Sequence, residues 1–281
     1  MLAKSKGSLD VLVPRGLLGS GLDLEASSLT AEGLASVRVE WDKARINAIQ
    51  AISLSSDRSL KLLLPRLVEP HTHLDKAFSW ENFPNLAGTY AGALNNNLNE
   101  LETRTCKDVC LRSEKALNIA LKNGLRAIRS HVDSYGGHAE KTWEVLQALK
   151  IKWKRLIELQ LVALVPLEYW STNEGDLFAA RISSRNGLMG GVIVPPLEKG
   201  RTYDLIFNTL KLANKYNCGV DLHIDESQED PAAGLNQLIR ALENMSSNIP
   251  VSCSHLSSLS LLSNRKLKVL SEKIVKHNIN V

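Results

Sequence analysis

Hydrophobic and polar positions follow one pattern up to about residue 62 and a different pattern after it. In the first segment, short alternating runs at residues 10–14, 35–41 and 48–52 are separated by Gly and Ser. Alternation with a period of two predicts short β-strands. A sheet of this size is too small to be stable alone, so we expect it to need a partner segment.

From about residue 62, short apolar runs alternate with longer stretches whose apolar positions lie three and four residues apart. Strands are predicted at 61–69, 126–133, 158–166, 188–195, 220–225 and 249–255. Helices are predicted at 108–123, 140–150, 203–216, 232–245 and 259–277. Repeated βα units indicate an α/β fold with parallel strands and right-handed crossovers.

Polar residues follow at least four of the predicted strands, which bears on the shape of the sheet. A (β/α)8 barrel brings all of its strand ends to one face, whereas an open sheet concentrates ligands at one crevice. We therefore predict a TIM-type barrel. It is expected to be incomplete at the C-terminus, with about six strands and the start of a seventh, because a full barrel needs roughly two more βα units.

Two histidines, His71 and His73, end the first of these strands. Side chains two positions apart in a strand point to the same side, so the two imidazoles form half of a metal site. His223, at the end of the fifth predicted strand, offers a third imidazole. His131 and Asp133 lie at the end of the second predicted strand. They are either groups that contact the ligands or part of the barrel core.

Glu226 and His255 are the candidate catalytic residues. Glu226 lies three residues after His223, so it turns toward the site only if that strand ends near residue 225. A carboxylate placed there can accept a proton from water and deliver it to a substrate nitrogen. His255 can orient the water by a hydrogen bond, although a histidine in a strand is more often a core or surface residue.

Composition and charge exclude several classes of function. The 281 residues carry a formal net charge of +4, and the densest basic cluster, at 265–276, is more typical of a solvated helix face than of a nucleic-acid site. The sequence contains no run of 18 apolar residues, so it predicts no membrane span. The four cysteines form no CxxC pair, so we expect reduced thiols and a cytoplasmic protein.

Residues 68–76, Val-Glu-Pro-His-Thr-His-Leu-Asp-Lys, resemble the first-strand motif of the amidohydrolase superfamily in its cytosine deaminase-like branch. The resemblance extends from about residue 60 over nearly the whole remaining chain. Further matches occur in the same order: Arg-Ser-His-Val-Asp at 129–133, Leu-Gln-Leu-Val-Ala at 159–163, Gly-Val-Ile-Val-Pro at 191–195, Asp-Leu-His-Ile-Asp-Glu at 221–226 and Ser-Cys-Ser-His at 252–255.

The resemblance implies a role for each candidate residue. His71, His73 and His223 match the family's ligands for one divalent metal ion, Fe2+ or Zn2+. Glu226 matches the proton-shuttling carboxylate, and His255 matches the histidine that contacts the hydrolytic water. The implied reaction is cleavage of a C–N bond, namely hydrolytic deamination of cytosine or a related amino-heterocycle.

The resemblance also implies a domain organisation and a set of partners. Residues 1–62 would form the N-terminal part of a small composite β-sandwich, and residues 63–281 a metal-dependent amidohydrolase barrel with strands 1–6 and the start of 7. The expected partner is a small heterocyclic substrate, with no nucleic acid and no membrane. A homo-oligomer is a further option.

Two departures from the family keep alternatives open. The family has an aspartate ligand at the end of an eighth strand, and this sequence stops before such a strand. A glutamine that contacts the pyrimidine in cytosine deaminases is replaced by Leu167, which cannot make that hydrogen bond. The chain is therefore alternatively a truncated, inactive remnant or half of a larger assembly, or a cyclic-amide hydrolase of the same superfamily.

Overall fold

The structure is a computed structural model that describes residues 6–43, 45–54, 59–246 and 248–281. The chain divides into two units, Met1–Arg66 and Leu67–Val281. Within the described residues, no helix combines the length and the apolar character that crossing a membrane requires. The cytoplasmic location stays a prediction.

The first unit contains a four-stranded sheet with the strand order β3-β2-β1-β4. Its strands are β1 (Lys6–Pro14), β2 (Leu34–Asp42), β3 (Arg45–Ala51) and β4 (Lys61–Leu62). β1 pairs antiparallel with β2 and parallel with β4. Alternate residues of β1 and β2 build its small core: Val11, Val13, Ala35, Val37 and Val39. The strands therefore follow the predicted alternation, while their place in a composite β-sandwich stays a prediction.

The prediction of a single strand at 61–69 was wrong. Residues 61–62 pair with β1 in the first unit, and the next strand begins only at Leu67 in the second unit. Pro65 lies between them and has no backbone N–H to continue a ladder, so one continuous strand is interrupted there.

The second unit contains a seven-stranded sheet in which neighbouring strands are parallel and follow chain order. Its strands are β5 (Leu67–Thr72), β6 (Leu125–Asp133), β7 (Glu158–Leu164), β8 (Leu188–Val192), β9 (Val220–Ile224), β10 (Val251–His255) and β11 (Ile279–Asn280). The helices are α1 (Tyr90–Thr103), α2 (Cys106–Lys122), α3 (Ala139–Trp153), α4 (Asn173–Ser184), α5 (Lys199–Lys215), α6 (Ala233–Glu243) and α7 (Asn264–Lys276). Six strands and the start of a seventh were predicted, and this α/β architecture is confirmed.

Two helices, α1 and α4, were not predicted from the hydrophobic pattern. Both begin at a threonine whose side chain caps the first turn: Thr89 accepts a hydrogen bond from the N–H of Gly92, and Thr172 from that of Gly175. A threonine is a common N-cap because its hydroxyl satisfies one of the unpaired N–H groups of the first turn. The caps were therefore the available signal for these helices.

The seven-stranded sheet is strongly curved. β5 and β10 are five places apart in the strand order, so a flat sheet with a spacing of about 4.8 Å would separate them by about 24 Å. Instead, Nδ1 of His71 on β5 lies 2.9 Å from Oγ of Ser254 on β10. The side chains of one sheet face thus meet across a concave interior, as the barrel prediction requires.

Alternate residues of β6 divide between the two faces of the sheet. Ile128 and Val132 are buried in the hydrophobic core with residues of the helices. Arg129 and His131 lie on the concave face, where they contact side chains from β9 and β5. The period of two along the strand therefore separates the packing residues from the polar ones.

We expect Gly175→Ala to destabilise the protein by about 1–3 kcal/mol. A Cβ atom at Gly175 would lie 2.0 Å from the carbonyl oxygen of Tyr169, so the backbone would have to shift. Gly200→Ala is the matched control, because a Cβ atom at this α5 position meets no described atom within 4 Å. Alanine should leave stability unchanged there or raise it by up to about 1 kcal/mol. Urea unfolding measures both variants, and equal stabilities would contradict this packing.

Candidate metal centre

The candidate centre is built around the end of β5. The pairing of β5 with β6 is irregular between Glu69 and Thr72, next to Pro70, which lacks an N–H to donate. The backbone N–H of His71 instead donates to Oε1 of Glu69 at 3.0 Å. His73 directly follows the strand, and its ring centroid lies 5.2 Å from that of His71. The two histidines therefore point to the same side, as their spacing predicted.

His223 on β9 joins these two histidines. One ring nitrogen from each of His71, His73 and His223 can be chosen so that all three lie within 4.8 Å of one another. Nε2 of His223 lies 3.3 Å from Nε2 of His73. Two ligand nitrogens of a tetrahedral zinc ion, each at about 2.0–2.1 Å from it, are separated by about 3.3–3.4 Å. The structure thus brings together the three residues that the sequence singled out as ligands.

The electrostatics of these rings favour the form that binds a metal. Burial lowers the pKa of His71 and His223, and it lowers the pKa of His73 to about 3. The three rings are therefore uncharged at neutral pH, and a metal ligates a neutral imidazole. Nε2 of His71 is buried and has no hydrogen-bond partner within the described part of the chain, and Nε2 of His73 and Nε2 of His223 face each other at 3.3 Å. Three uncharged imidazoles with these nitrogens fit a divalent cation.

His131 packs against this group. It is fully buried, and its ring centroid lies 4.2 Å from that of His71 and 4.6 Å from that of His223. Burial lowers its pKa to about 2, so this ring is uncharged as well. Its Nε2 lies 3.7 Å from Oδ2 of Asp221. His131 is therefore a fourth uncharged imidazole packed against the cluster.

Glu226 reaches the centre because β9 ends at Ile224. Asp225 adopts a left-handed backbone conformation with φ of 53°, which turns the chain out of the strand. Its carboxylate accepts the N–H groups of Gly234 and Leu235, both at 2.9 Å, and so ties the turn to the start of α6. The end of the strand near residue 225, which an inward Glu226 requires, is present.

Glu226 lies next to His255. Oε1 of Glu226 lies 3.9 Å from Nε2 of His255, and both side chains are partly exposed, at 34% and 26%. The ring of His255 lies 4.7 Å from that of His71 and 4.9 Å from that of His223. His255 has a φ of 79°, which is strained for a non-glycine residue and is found preferentially at functional sites. His255 thus lies beside the histidine cluster, Glu226 lies next to His255, and both are open to solvent.

A buried ion-pair network fixes the segments that follow β5 and β6. Arg104, whose side chain is 1% exposed, donates to the carboxylates of Asp75 and Asp133, both at 2.9 Å, and to Glu100. Lys76 also contacts Asp133, at 3.0 Å. Burial acts to raise the pKa of Asp133, but Lys76 and Arg104 overcome it and lower the pKa. Asp133 is therefore an ion-paired group that holds the site loops.

Sequence patterns did not identify Asp221 and Ser254 as site residues, although both lie on the concave face. Asp221 precedes His223 by two residues, and Ser254 is paired in register with His223 on the neighbouring strand. The period of two was therefore the signal that could have found them. Arg129 contacts Asp221 at 2.6 Å and belongs to the same group.

Leu167 does not face the centre. Its side chain is 4% exposed and packs in the hydrophobic core, and an added Cβ at Gly191 would lie 2.4 Å from its Cδ2. The adjacent Glu168 is exposed and forms an ion pair with Arg201. Neither residue therefore offers a hydrogen bond to a ring bound at the histidines.

Comparison with known proteins identifies relatives of this chain. No protein-family model matches the sequence. A curated pterin deaminase of Rhizobium rhizogenes is 30% identical over 203 residues, which cover 70% of this chain and 45% of that protein. The chain spans about half the length of the curated relatives it matches.

Two solved structures share the fold. A 5-methylcytosine deaminase from Klebsiella pneumoniae superposes with a TM-score of 0.75 at 21% identity, over 98% of this chain and 64% of that one. An N-isopropylammelide isopropylaminohydrolase from Burkholderia multivorans has a TM-score of 0.67 at 21% identity, over 96% and 67%. The two superpositions show the shared fold, and the sequence similarity to the pterin deaminase shows that the chain belongs to the deaminase branch of the amidohydrolase superfamily.

Proposed function

We propose that this chain carries the centre of a metal-dependent hydrolase that deaminates an amino-heterocycle. The observation that carries the proposal is the convergence of three buried, uncharged imidazoles with a solvent-accessible carboxylate and a further histidine at the ends of parallel strands. Ligands and proton-transfer groups that meet at strand ends are typical of catalytic sites in barrel enzymes.

His71, His73 and His223 would hold one divalent ion, Fe2+ or Zn2+. Imidazole nitrogen is a suitable ligand for both metals. When bound, such an ion lowers the pKa of water toward neutrality and so makes hydroxide available at neutral pH. His71 is fixed by a hydrogen bond to Ser254, and His223 is held in the middle of the sheet by the pairing of β9 with β8 and β10.

The reaction that these groups support replaces an exocyclic amino group by oxygen. Water adds to the amino-bearing ring carbon, the C–N bond breaks, and ammonia leaves. Glu226 accepts a proton from the water and returns it to the departing nitrogen, as a partly exposed carboxylate can. His255, next to Glu226, hydrogen-bonds to the water and orients it toward the carbon.

The substrate that we propose is a flat amino-heterocycle other than cytosine. The 30% identity to a pterin deaminase supports this class. Leu167 is buried in the core, so it supplies no polar contact to a pyrimidine ring. A pterin, a cytosine and an N-alkylamino-triazine therefore form the informative first panel of substrates, and we expect the pterin to be turned over best.

We expect the protein to bind one equivalent of Zn2+, and His73→Ala and His223→Ala to weaken binding by at least about 100-fold. Each variant removes one of the two nitrogens that lie 3.3 Å apart. Isothermal titration of the metal-free protein measures the affinity. His138→Ala is the matched control, because His138 is exposed and precedes α3. Equal affinities in all four proteins would contradict the assigned ligands.

We expect Glu226→Gln to lower kcat by about 100- to 10,000-fold while Zn2+ binding is retained, because the amide cannot accept the proton from water. Glu229→Gln is the control, since Glu229 lies on the same loop and is exposed. Release of ammonia from the pterin and the cytosine, and of the alkylamine from the triazine, gives the rate. Full activity of Glu226→Gln would refute the role of this carboxylate. Zinc binding without turnover of any heterocycle would favour the inactive alternative.

A further inference from the structure

Behind His71, a chain of hydrogen bonds runs across the concave face of the sheet. Nδ1 of His71 lies 2.9 Å from Oγ of Ser254, and this hydroxyl donates to Oδ1 of Asp221 at 2.8 Å. The Asp221 side chain is 2% exposed. This chain of hydrogen bonds therefore ends on a buried carboxylate.

The chemistry of these groups determines which atom donates and which accepts in each of these hydrogen bonds. A carboxylate has no proton to donate, and a serine hydroxyl has one. Because the hydroxyl proton of Ser254 is given to Asp221, its oxygen can only accept from Nδ1–H of His71. The neutral ring then has its lone pair on Nε2, which is buried without a hydrogen-bond partner among the described residues.

Arg129 holds the carboxylate in the orientation that this chain needs. Its Nη1 donates to Oδ2 of Asp221 at 2.6 Å and to Oγ of Ser252 at 3.1 Å, and its Nε donates to Gln160 at 2.8 Å. With Oδ2 engaged by the guanidinium, Oδ1 is directed to Ser254. Residues from four strands therefore fix the orientation of the Ser254 hydroxyl.

We propose that Ser254 and Asp221 are positioning residues that hold His71 in its Nδ1–H tautomer, so that Nε2 is presented as a ligand. The metal part of this inference rests on the proposed function. A neutral imidazole has two tautomers, and the other one would point an N–H at the cation and could not bind it. Partners behind metal-binding histidines set affinity in this way, typically by 10- to 100-fold.

The tautomer itself is the decisive measurement, since a purely structural role of Ser254 would not move it. Long-range 1H–15N spectra of the metal-free protein distinguish the two tautomers at about pH 8, above the ordinary histidine pKa of about 6.5. The His71 signals are assigned by their loss in His71→Gln. We expect Nδ1–H in the wild type, and a mixture of tautomers in Ser254→Ala.

Two conservative variants sharpen the test. Ser254→Thr retains the hydroxyl and should keep the Nδ1–H tautomer. In Asp221→Asn, the guanidinium of Arg129 still needs an oxygen acceptor, so the amide NH2 faces Ser254. The amide then donates to the Ser254 hydroxyl, which in turn donates to Nδ1 of His71, so the direction of the hydrogen bonds is reversed. His71 should then become the Nε2–H tautomer. Ser252→Ala is the matched control, because Ser252 lies on the same strand and contacts Arg129 rather than His71.

Zinc affinity is the second readout, measured by competition with a chromophoric chelator. We expect it to fall about 10- to 100-fold in Ser254→Ala and Asp221→Asn, and to stay within about threefold of the wild type in Ser254→Thr and Ser252→Ala. Circular dichroism checks that each variant is folded. If Asp221→Asn does not fold, the Ser254 pair still decides the question.

The outcomes separate this inference from the proposed function. An unchanged tautomer and unchanged zinc affinity in Ser254→Ala would overturn the positioning role. A shifted tautomer in a protein whose wild type binds no zinc would uphold control of the His71 tautomer and overturn the metal centre itself.

Discussion

In the seven-stranded sheet, the contact between His71 on β5 and Ser254 on β10 joins strands that a flat sheet would hold about 24 Å apart. The curvature behind this contact is the constraint on which the candidate centre depends. It brings His71 and His73 from the first strand to His223 on the fifth. Right-handed βα crossovers put the helices on the convex side, so the concave side is left for polar groups.

The buried carboxylates of Asp221 and Asp133 are accommodated because each has a positively charged partner. Asp221 is paired with Arg129, and Asp133 with Lys76 and Arg104. Unpaired charges at such depth would cost several kcal/mol each. The imidazoles avoid the same cost by remaining uncharged, since burial lowers their pKa. The site therefore combines uncharged imidazoles at its centre with a surrounding set of compensated charges.

The partly exposed groups lie on the side of the cluster that is open to solvent. Glu226 is carried there by the left-handed turn at Asp225, which is tied to the N-terminus of α6. His255 lies at the end of β10, also in a left-handed conformation. Both residues are thus positioned by strand ends whose strands are buried in the core. This division between a rigid strand and a functional residue just beyond it is the usual construction of a barrel site.

The sequence by itself determined the alternation of strands and helices, the parallel sheet and the convergence of His71 with His73, because these depend on local periodicity. It also indicated the turn that Glu226 requires, from the polar residues that follow Asp225. Helices α1 and α4 were not predicted from the hydrophobic pattern, and the threonine caps at their first turns were the signal that could have found them. The sequence did not predict that residues 61–69 are divided between two sheets, because strand pairing is not a local property.

Only the tertiary structure decided which side chains of different strands touch. The pairing of His71 with Ser254 joins residues 183 positions apart, and that of Arg129 with Asp221 joins residues 92 apart. Their contact depends on the curvature of the whole sheet, which no single strand encodes. Burial, and with it the uncharged state of the histidines, likewise arises only when the helices and strands have packed together.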